Sequence, residues 1–562
     1  MSPQHSLNCP KTTNLHAGNG HAALLARALF GFWSKGLAFP YSICTVLVML
    51  RNRIAVLVFA RATDNRFVRR FVGIGYIVSL GFLFVAGCGG AGSTPAAECV
   101  DGVCPCSEGG IRAAIAEGSG PYTFDCDGPT TVTTGREIVI DNDVTLDGGG
   151  NLTVDGNQRH RVFSVLEAVT VELIAITVAN GRQTEEHGGG IRNEGALTLT
   201  SSTVSGSSAG RDSGCRTDDQ ALLCSEGGGI WNAGALTLMN STVSASSAHF
   251  GGGIANRGGR ATLIDSKVLT SLATGCRGAG AIVCSGGGGI WNSGALTMDN
   301  STVSESSADW GGGIYNRGFP TLNNSTVSGN SAGFDGGGLL NFETLMLSDT
   351  TVADNFAGQS GGGIANEAGT LDVSNSTLSG NAAVSAGGGI FNPTGAFTDL
   401  ANTTISANTA DREGGGIYTG GELLLVSSTI AENVAPTGSA IFDPGTPDVE
   451  LRSIMSTLIA GDCGGSPLVS GGYNIEGPGD TCGFDTGTDL SAEDQLDLGP
   501  LADNGGSTET HALLTNSAAI DRIPDIDCVD GAGEPLSADQ RGEPRPGGAT
   551  SICDVGAFEV QP

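Results

Sequence analysis

The chain has 562 residues, of which 91 are glycine, while charged residues make up 15% and aromatic residues 5%. Its formal net charge of −31 understates the acidity: the first 87 residues hold nine Lys or Arg and one acid, Asp64, so the remainder carries 18 basic and 57 acidic residues, a net of −39, with Lys267 its only lysine. Glycine at this level without a collagen-like triplet leaves disorder or a turn-dense β fold; the aliphatic content decides for the fold, and the acidity turns away nucleic acid and anionic lipid as partners.

Residues 68–88 read VRRFVGIGYIVSLGFLFVAGC. Two arginines precede an apolar run that is short for a spanning helix, followed by small residues, the layout of an export signal. Val85-Ala86-Gly87-Cys88 resembles a bacterial lipobox, whose cysteine becomes the lipidated N-terminus. Gly89 follows, where an inner-membrane retention signal has Asp. The resemblance implies export and a membrane anchor at Cys88, on an outer membrane or cell surface. Residues 1–67 fit this scheme if translation starts at Val68, from a GTG codon. The alternative is a genuine N-terminal helix around YSICTVLVML, making the first 90 residues a two-span anchor.

Twelve cysteines follow the leader in local clusters: Cys99, Cys104, Cys106 and Cys126; Cys215 and Cys224; Cys276 and Cys284; Cys463 and Cys482; Cys528 and Cys553. Even numbers in neighbouring pairs point to disulfides formed outside the cytoplasm. A zinc reading is weak, since no histidine stands at ligand spacing. Among the first cluster lies CSEGGIRAAIAEG (106–118), a short amphipathic helix with Ile111, Ala114 and Ile115 on one side. It suits the cap that the open end of a strand stack requires.

From residue 191 a glycine triplet followed by Ile or Leu recurs, at 191, 230, 254, 290, 314, 339, 364, 390 and 417, with a degenerate copy at Ile441. Most steps are near 24 residues, a solenoid period. The two long steps, 39 and 36, contain the cysteine pairs Cys215/Cys224 and Cys276/Cys284, each read as a stapled loop. GGGIWNAGALTLMNSTVSASSA (227–248) returns as GGGIWNSGALTMDNSTVSESSA (287–308), so a unit of two coils is duplicated in tandem.

Each unit has three short segments of period-two alternation bounded by turn residues, and none has helical periodicity. Like coils stacking on like give an all-β, right-handed parallel β-helix, about 4.8 Å per coil and about 60 Å long. The Asn two residues after each Ile, at Asn193, Asn232, Asn256, Asn292, Asn316, Asn341, Asn366 and Asn392, reads as a structural amide ladder at a bend. Thr419 and Asp443 continue it. The domains read as leader 1–87, anchor linker and cap 88–128, β-helix 129–444, and a C-terminal disulfide-bonded domain 445–562.

Three resemblances follow from these stretches. CSEGGIRAAIAEG resembles the Cys-Ser-Leu-Arg-Glu-Ala-Ile motif that precedes many bacterial β-helices, with Glu-Gly-Gly as a departure. The GGGI repeats are similar to the Gly-Gly-Ala-Ile repeats of polymorphic outer-membrane proteins, without that family's Phe-x-x-Asn in most coils. The tail, GDCGG…GGYNIEGPGDTCGF, LGPLADNGGSTETHALLTNSAAID and DQRGEPRP…CDVGAFE, resembles the choice-of-anchor Q domain of bacterial surface proteins, over roughly residues 450–560. That resemblance implies bridges Cys463–Cys482 and Cys528–Cys553, a structural role for His511, and no catalytic residue.

Pectate lyases and polygalacturonases share the β-helix, so an enzyme has to be weighed. A lyase needs an acidic calcium cluster with an Arg or Lys base, and a glycosidase needs paired carboxylates. No such set stands out. Glu186, Glu226, Asp309, Asp335 and Glu413, with His187 and His249, lie at or beside the glycine turns, where a cation could bridge some of them. DIDCVDGAGE (525–534) is a broken likeness of a calcium loop; no metal site is assigned and no cofactor is expected beyond this weak calcium option.

The residue between Ile and Asn faces out if those two face in. It reads Arg192, Trp231, Ala255, Trp291, Tyr315, Leu340, Ala365, Phe391, Tyr418 and Phe442. This aromatic stripe could stack sugar rings or meet a surface protein; the competing reading is that crosswise packing or the disulfide loops cover it. The sequence therefore points to an exported, surface-anchored β-helix acting as a non-enzymatic adhesin or scaffold for glycans or proteins. A polysaccharide lyase or glycoside hydrolase is the alternative.

Overall fold

A computed structural model describes residues 44–50, 53–59, 98–210, 216–218, 221–275, 285–447, 449, 451–494, 496–547 and 551–562. The chain forms two compact units, Met1–Ser93 and Thr94–Pro562. In the first, Cys44–Leu50 and Arg53–Phe59 pair as an antiparallel hairpin, where the two-span alternative expects helix. The apolar run before Cys88, Cys88 itself and Val68 lie outside the described residues. No helix among the described residues is long and apolar enough to cross a membrane, which says nothing of strands.

The second unit is an all-β parallel β-helix. Its N-terminal end carries one helix, α1 (Glu108–Glu117), with Ser107 as N-cap, its hydroxyl accepting from Gly110 N. Ile111, Ala114 and Ile115 are buried on its inner side, as the amphipathic pattern predicts. Disulfides Cys99–Cys104 and Cys106–Cys126 resolve the pairing that the spacing left open.

The regular coils contribute four strands, one more than the three expected. In the coil that begins at Ile230 they are Ile230–Asn232, Ala235–Met239, Thr242–Ser244 and Ser247–Ala248. Asn240 (φ 50°) and Ala245 (φ 50°) make the corners between the last three. The fourth strand is two residues long, too short to show alternation. Repeated along the axis, these strands make four parallel strips. The Ile-x-Asn strip has 13 strands and the two-residue strip has nine.

Register is kept coil after coil: Ile191, Ile230, Ile254, Ile290 and Ile314 stand over one another and are fully buried. The triplet explains the turn into this strip. Gly227 has φ of +67°, and a Cβ on Gly228 would come within 2.3 Å of Gly252 O and 2.4 Å of Ser247 O. The first glycine is required by its backbone conformation and the second by the coil beside it.

Stacking does not stop where the period fades near residue 444. Ile441–Asp443 pairs with Cys463–Gly465, and Leu458–Ala460 pairs with Ile475–Gly477. The remaining chain turns back along the Thr-Val-Ser strip as a clasp. Gln540 accepts from Thr404 Oγ1 at 2.6 Å and donates to Thr377 and Thr508 at 2.9 and 2.8 Å. Ala557 N donates to Thr429 Oγ1 at 3.0 Å. His511 is buried, bonded to Ser406 Oγ and to Gly499 O at 2.8 Å each, a structural role. Disulfides Cys463–Cys482 and Cys528–Cys553 form as the tail's resemblance implies. Cys224 is disulfide-bonded, while Cys215, Cys276 and Cys284 lie outside the described residues.

Candidate functional site: the Ile-x-Asn flank

The inward Asn of this strip is a continuous hydrogen-bonded column. Asn193 Nδ2 donates to Asn232 Oδ1 at 2.7 Å, and Asn232 to Asn256 at 2.8 Å. The chain of donors runs on through Asn292, Asn316, Asn341, Asn366 and Asn392 to Thr419 Oγ1. Every one of these Asn is fully buried, so their amides serve the backbone and each other and meet no ligand.

A second amide column, not singled out in the sequence, joins Asn330, Asn355, Asn381, Asn408 and Asn433 at the corner before the two-residue strip. Earlier coils place Ser271 and Ser306 there. The signal lay in Asn replacing the last Ser of Ser-x-Ser in the later coils, at Asn330, Asn355, Asn381, Asn408 and Asn433. Arg452, 11% exposed, reaches the buried Asp443, which takes the same strand position one coil beyond Thr419, at 3.1 Å.

The outward residues divide into two groups. Trp231 and Trp291 are only 9% and 7% exposed, so the covering alternative holds for them. Trp231 donates Nε1 to Glu226 Oε2 at 3.1 Å, with His187 stacked on its ring and Arg192 at 5.5 Å. Arg257 lies 5.2 Å from the Trp291 ring centre and binds Glu226 Oε1 at 2.9 Å. The cover is made of arginines and turn residues; neither tryptophan offers a free ring face.

Phe391, Tyr418 and Phe442 are half-buried and stack on one another, with centroids 5.0 and 5.7 Å apart and planes inclined by 29° and 25°. Rings that close and that nearly parallel overlap face to face with an offset. Their faces are directed along the axis, leaving the edges and the Tyr418 hydroxyl for a ligand. Tyr315 is also half-buried, 5.5 Å from Phe342. Arg317 lies over both rings, at 5.7 and 4.7 Å, and donates Nε to Tyr315 Oη at 2.9 Å.

The acids beside the glycine turns are dispersed. Successive coils place Glu226, Phe250, Gly286 and Trp310 in one column, so carboxylates are not neighbours there. Asp309 takes Ser285 N and Oγ at 2.9 and 2.8 Å. Asp335 accepts from Ser360 N, and burial raises its pKa. His187 and His249 are held below the usual histidine range by burial. Ser285 Oγ bonds to Ala273 O and Asp309 rather than to His249, so these residues do not form a nucleophile–base pair. Among the described residues no three His, Cys, Asp or Glu could hold a metal ion. Asp530 Oδ1 accepts from Ala532 N and Glu534 N, and Asp527 accepts from the Tyr473 hydroxyl at 2.6 Å.

One carboxylate pair was missed. Asp372 and Asp399 stand opposite each other on the outer face of the five-residue strip. Burial, then Asp372 and Asp530, push the Asp399 carboxyl up to about 6. They align although Asp372 follows Ile364 by eight residues and Asp399 follows Ile390 by nine, because the turn between the strips is longer in the later coil.

No protein-family model matches the chain, and no curated protein matches it. Among solved structures it is similar to the crystal structure of pectate lyase Pel9A, at 14% identity and a TM-score of 0.30, over 80% of this chain and 90% of that one.

Proposed function

We propose that this is an exported, surface-anchored β-helix whose repeated outer flank serves as a non-enzymatic adhesin or scaffold for surface glycans or proteins. The observation that carries the reading is that flank: side chains at one outward position stay in register from coil to coil, and three times an arginine lies over an aromatic ring there. Repetition of this kind multiplies weak contacts along an axis, whereas a catalytic centre needs a set that occurs once. The disulfides support folding in an oxidising compartment, and the sequence before Cys88 supports a lipid anchor.

The test is a binding assay with the full chain, folded oxidatively, against acidic and neutral polysaccharides and whole cell envelopes. Retention without product release is the expected result. Mass spectrometry of the cell-derived N-terminus checks the anchor: a diacylglyceryl cysteine at Cys88 is expected, and a peptide from residues 1–60 would overturn it.

The second reading, a polysaccharide lyase or hydrolase, is favoured by Asp372 and Asp399, two carboxylates side by side with one held partly protonated near pH 6. Unsaturated products or new reducing ends, abolished in Asp399→Asn, would establish it in place of the first.

A further inference from the structure

The tandem duplication provides an internal comparison on this flank. Sixty residues apart, Arg257 corresponds to Arg317, Glu226 to Gly286, Ala255 to Tyr315 and Phe250 to Trp310. In the first copy the guanidinium lies by a tryptophan ring and is neutralised by the protein's own carboxylate, Glu226, at 2.9 Å. In the second copy that carboxylate is gone. The Tyr315 ring has moved into the space, so that a Cβ on Gly286 would meet Tyr315 Cδ2 at 2.8 Å. Arg317 keeps its aromatic platform and stays exposed, with Nε on the Tyr315 hydroxyl and no carboxylate bonded to it among the described residues.

We infer that Arg317, on the rings of Tyr315 and Phe342, binds the carboxylate of a uronic-acid-bearing glycan, taking from outside the group that Glu226 supplies in the first copy. The inference rests on the surface-binding reading above and names its ligand class. A guanidinium held over aromatic rings through its Nε side keeps its outer N–H groups for a carboxylate. The surroundings select a sugar. Trp310 and Phe334 lie 4.9 Å apart in the adjoining turns, and Phe319, two residues beyond Arg317, is 66% exposed. A uronate carries its charge directly on a ring with an apolar C–H face, so one residue satisfies both features. An acidic peptide brings the charge without the face. The net charge of −39 beyond the leader opposes a densely anionic polymer, so the occupant carries its carboxylates sparsely.

The test is titration of the full chain with a short oligouronide whose uronic acids alternate with neutral sugars, its carboxyl-reduced neutral counterpart and a short poly-glutamate, at about 0.15 M salt, where charges beyond roughly 8 Å are screened. Binding of the oligouronide is expected, with a loss of about tenfold or more in Arg317→Gln, as for removal of a charge-assisted pair. Arg260→Gln, which removes an equal exposed charge from the neighbouring five-residue strip, should bind as the parent does. The double variant Gly286→Glu with Tyr315→Ala rebuilds the first copy's arrangement and should lose binding while keeping the parent's circular dichroism. Equal binding by Arg317→Gln, equal binding of the neutral counterpart, or preference for poly-glutamate would overturn the site or its ligand class and leave the surface reading standing. Failure of the full chain to bind any glycan or envelope would overturn both.

Discussion

At the scale of single residues, the solenoid is held by positions that recur, and each can be tested against its own copies. Asn292 is fully buried, accepting from Asn256 at 2.8 Å and donating to Asn316 at 2.9 Å and to Gly294 O. Alanine there leaves a donor above and an acceptor below unmet, so Asn292→Ala is expected to cost about 2–3 kcal/mol. At the end of the column the chain itself substitutes Thr419, so Asn392→Thr should cost much less. Thermal midpoints of the two variants check the contrast. The corner after the Thr-Val-Ser strip runs the other way. It has Gly206, Gly329 and Gly380 in some coils but Thr270 at φ 47° in another. A β-branched residue is strained in that region, and glycine gives back part of the gain in chain entropy. Thr270→Gly should stabilise by about 0.5–1 kcal/mol, read as a raised midpoint in denaturant; a lowered midpoint would refute the strain. The amide column was legible because Asn recurs two residues after the Ile or Leu of eight successive coils, from Asn193 to Asn392. The fates of Trp231 and Trp291 were not, since Arg257 and His187 reach them from other coils.

Between elements, the clasp over the five-residue strip creates a pH dependence whose sign can be worked out. Asp399 faces Asp372 on the neighbouring strand and Asp530 on the clasp, and its folded pKa is about 6 against an ordinary 3.8. Asp530 belongs to a turn in which a Cβ on Gly531 would touch Leu424 Cδ2 at 2.6 Å, so the clasp lies close on the strip. Between pH 4 and 6 the folded state holds a proton that the unfolded state has released. Stability contributed by this group therefore falls as pH rises through that window and stays low above it. The size is of order 1–3 kcal/mol, from about two pKa units in a partly buried group. Asp399→Asn should flatten the stability profile between pH 4 and 6 and raise the midpoint at pH 7; a parallel shift at all pH values would remove Asp399 as the cause. None of this was readable from the sequence. Thr404 meets Gln540 136 residues away, and no period links a coil to the irregular chain that returns over it. The one-residue offset between Asp372 and Asp399 likewise hid a pair that register creates.

For the β-helix as a whole, the strip order and coil boundaries could be read because every coil solves the same packing problem with the same residues. The four-strand cross-section could not, because its shortest strand has two residues. Repetition also means that stability is a sum of like interfaces, which predicts tolerance to the loss of a whole duplicated unit. Deleting residues 232–291 joins Trp231 to Asn292, preserving GGGIWN and the register of all four strips. Asn193 would then be separated from Asn292 by no more than one coil step, so the amide column closes again. The clasp's hydrogen bonds to the coils fall on Asp349 and later residues, so the deletion leaves it untouched. The shortened chain is expected to fold with the same far-ultraviolet dichroism and to be shorter by two coils, about 10 Å at 4.7–4.9 Å each, measured by small-angle scattering. Collapse or aggregation would show that the looped coil is indispensable. The deletion also places Glu226 where Gly286 stood, beside the coil that carries Arg317. The Tyr315 ring fills that position, 2.8 Å from a Cβ on residue 286, so the shortened chain carrying Tyr315→Ala should lose oligouronide binding, because its own carboxylate then reaches the guanidinium. Retained binding in that chain would move the glycan away from Arg317.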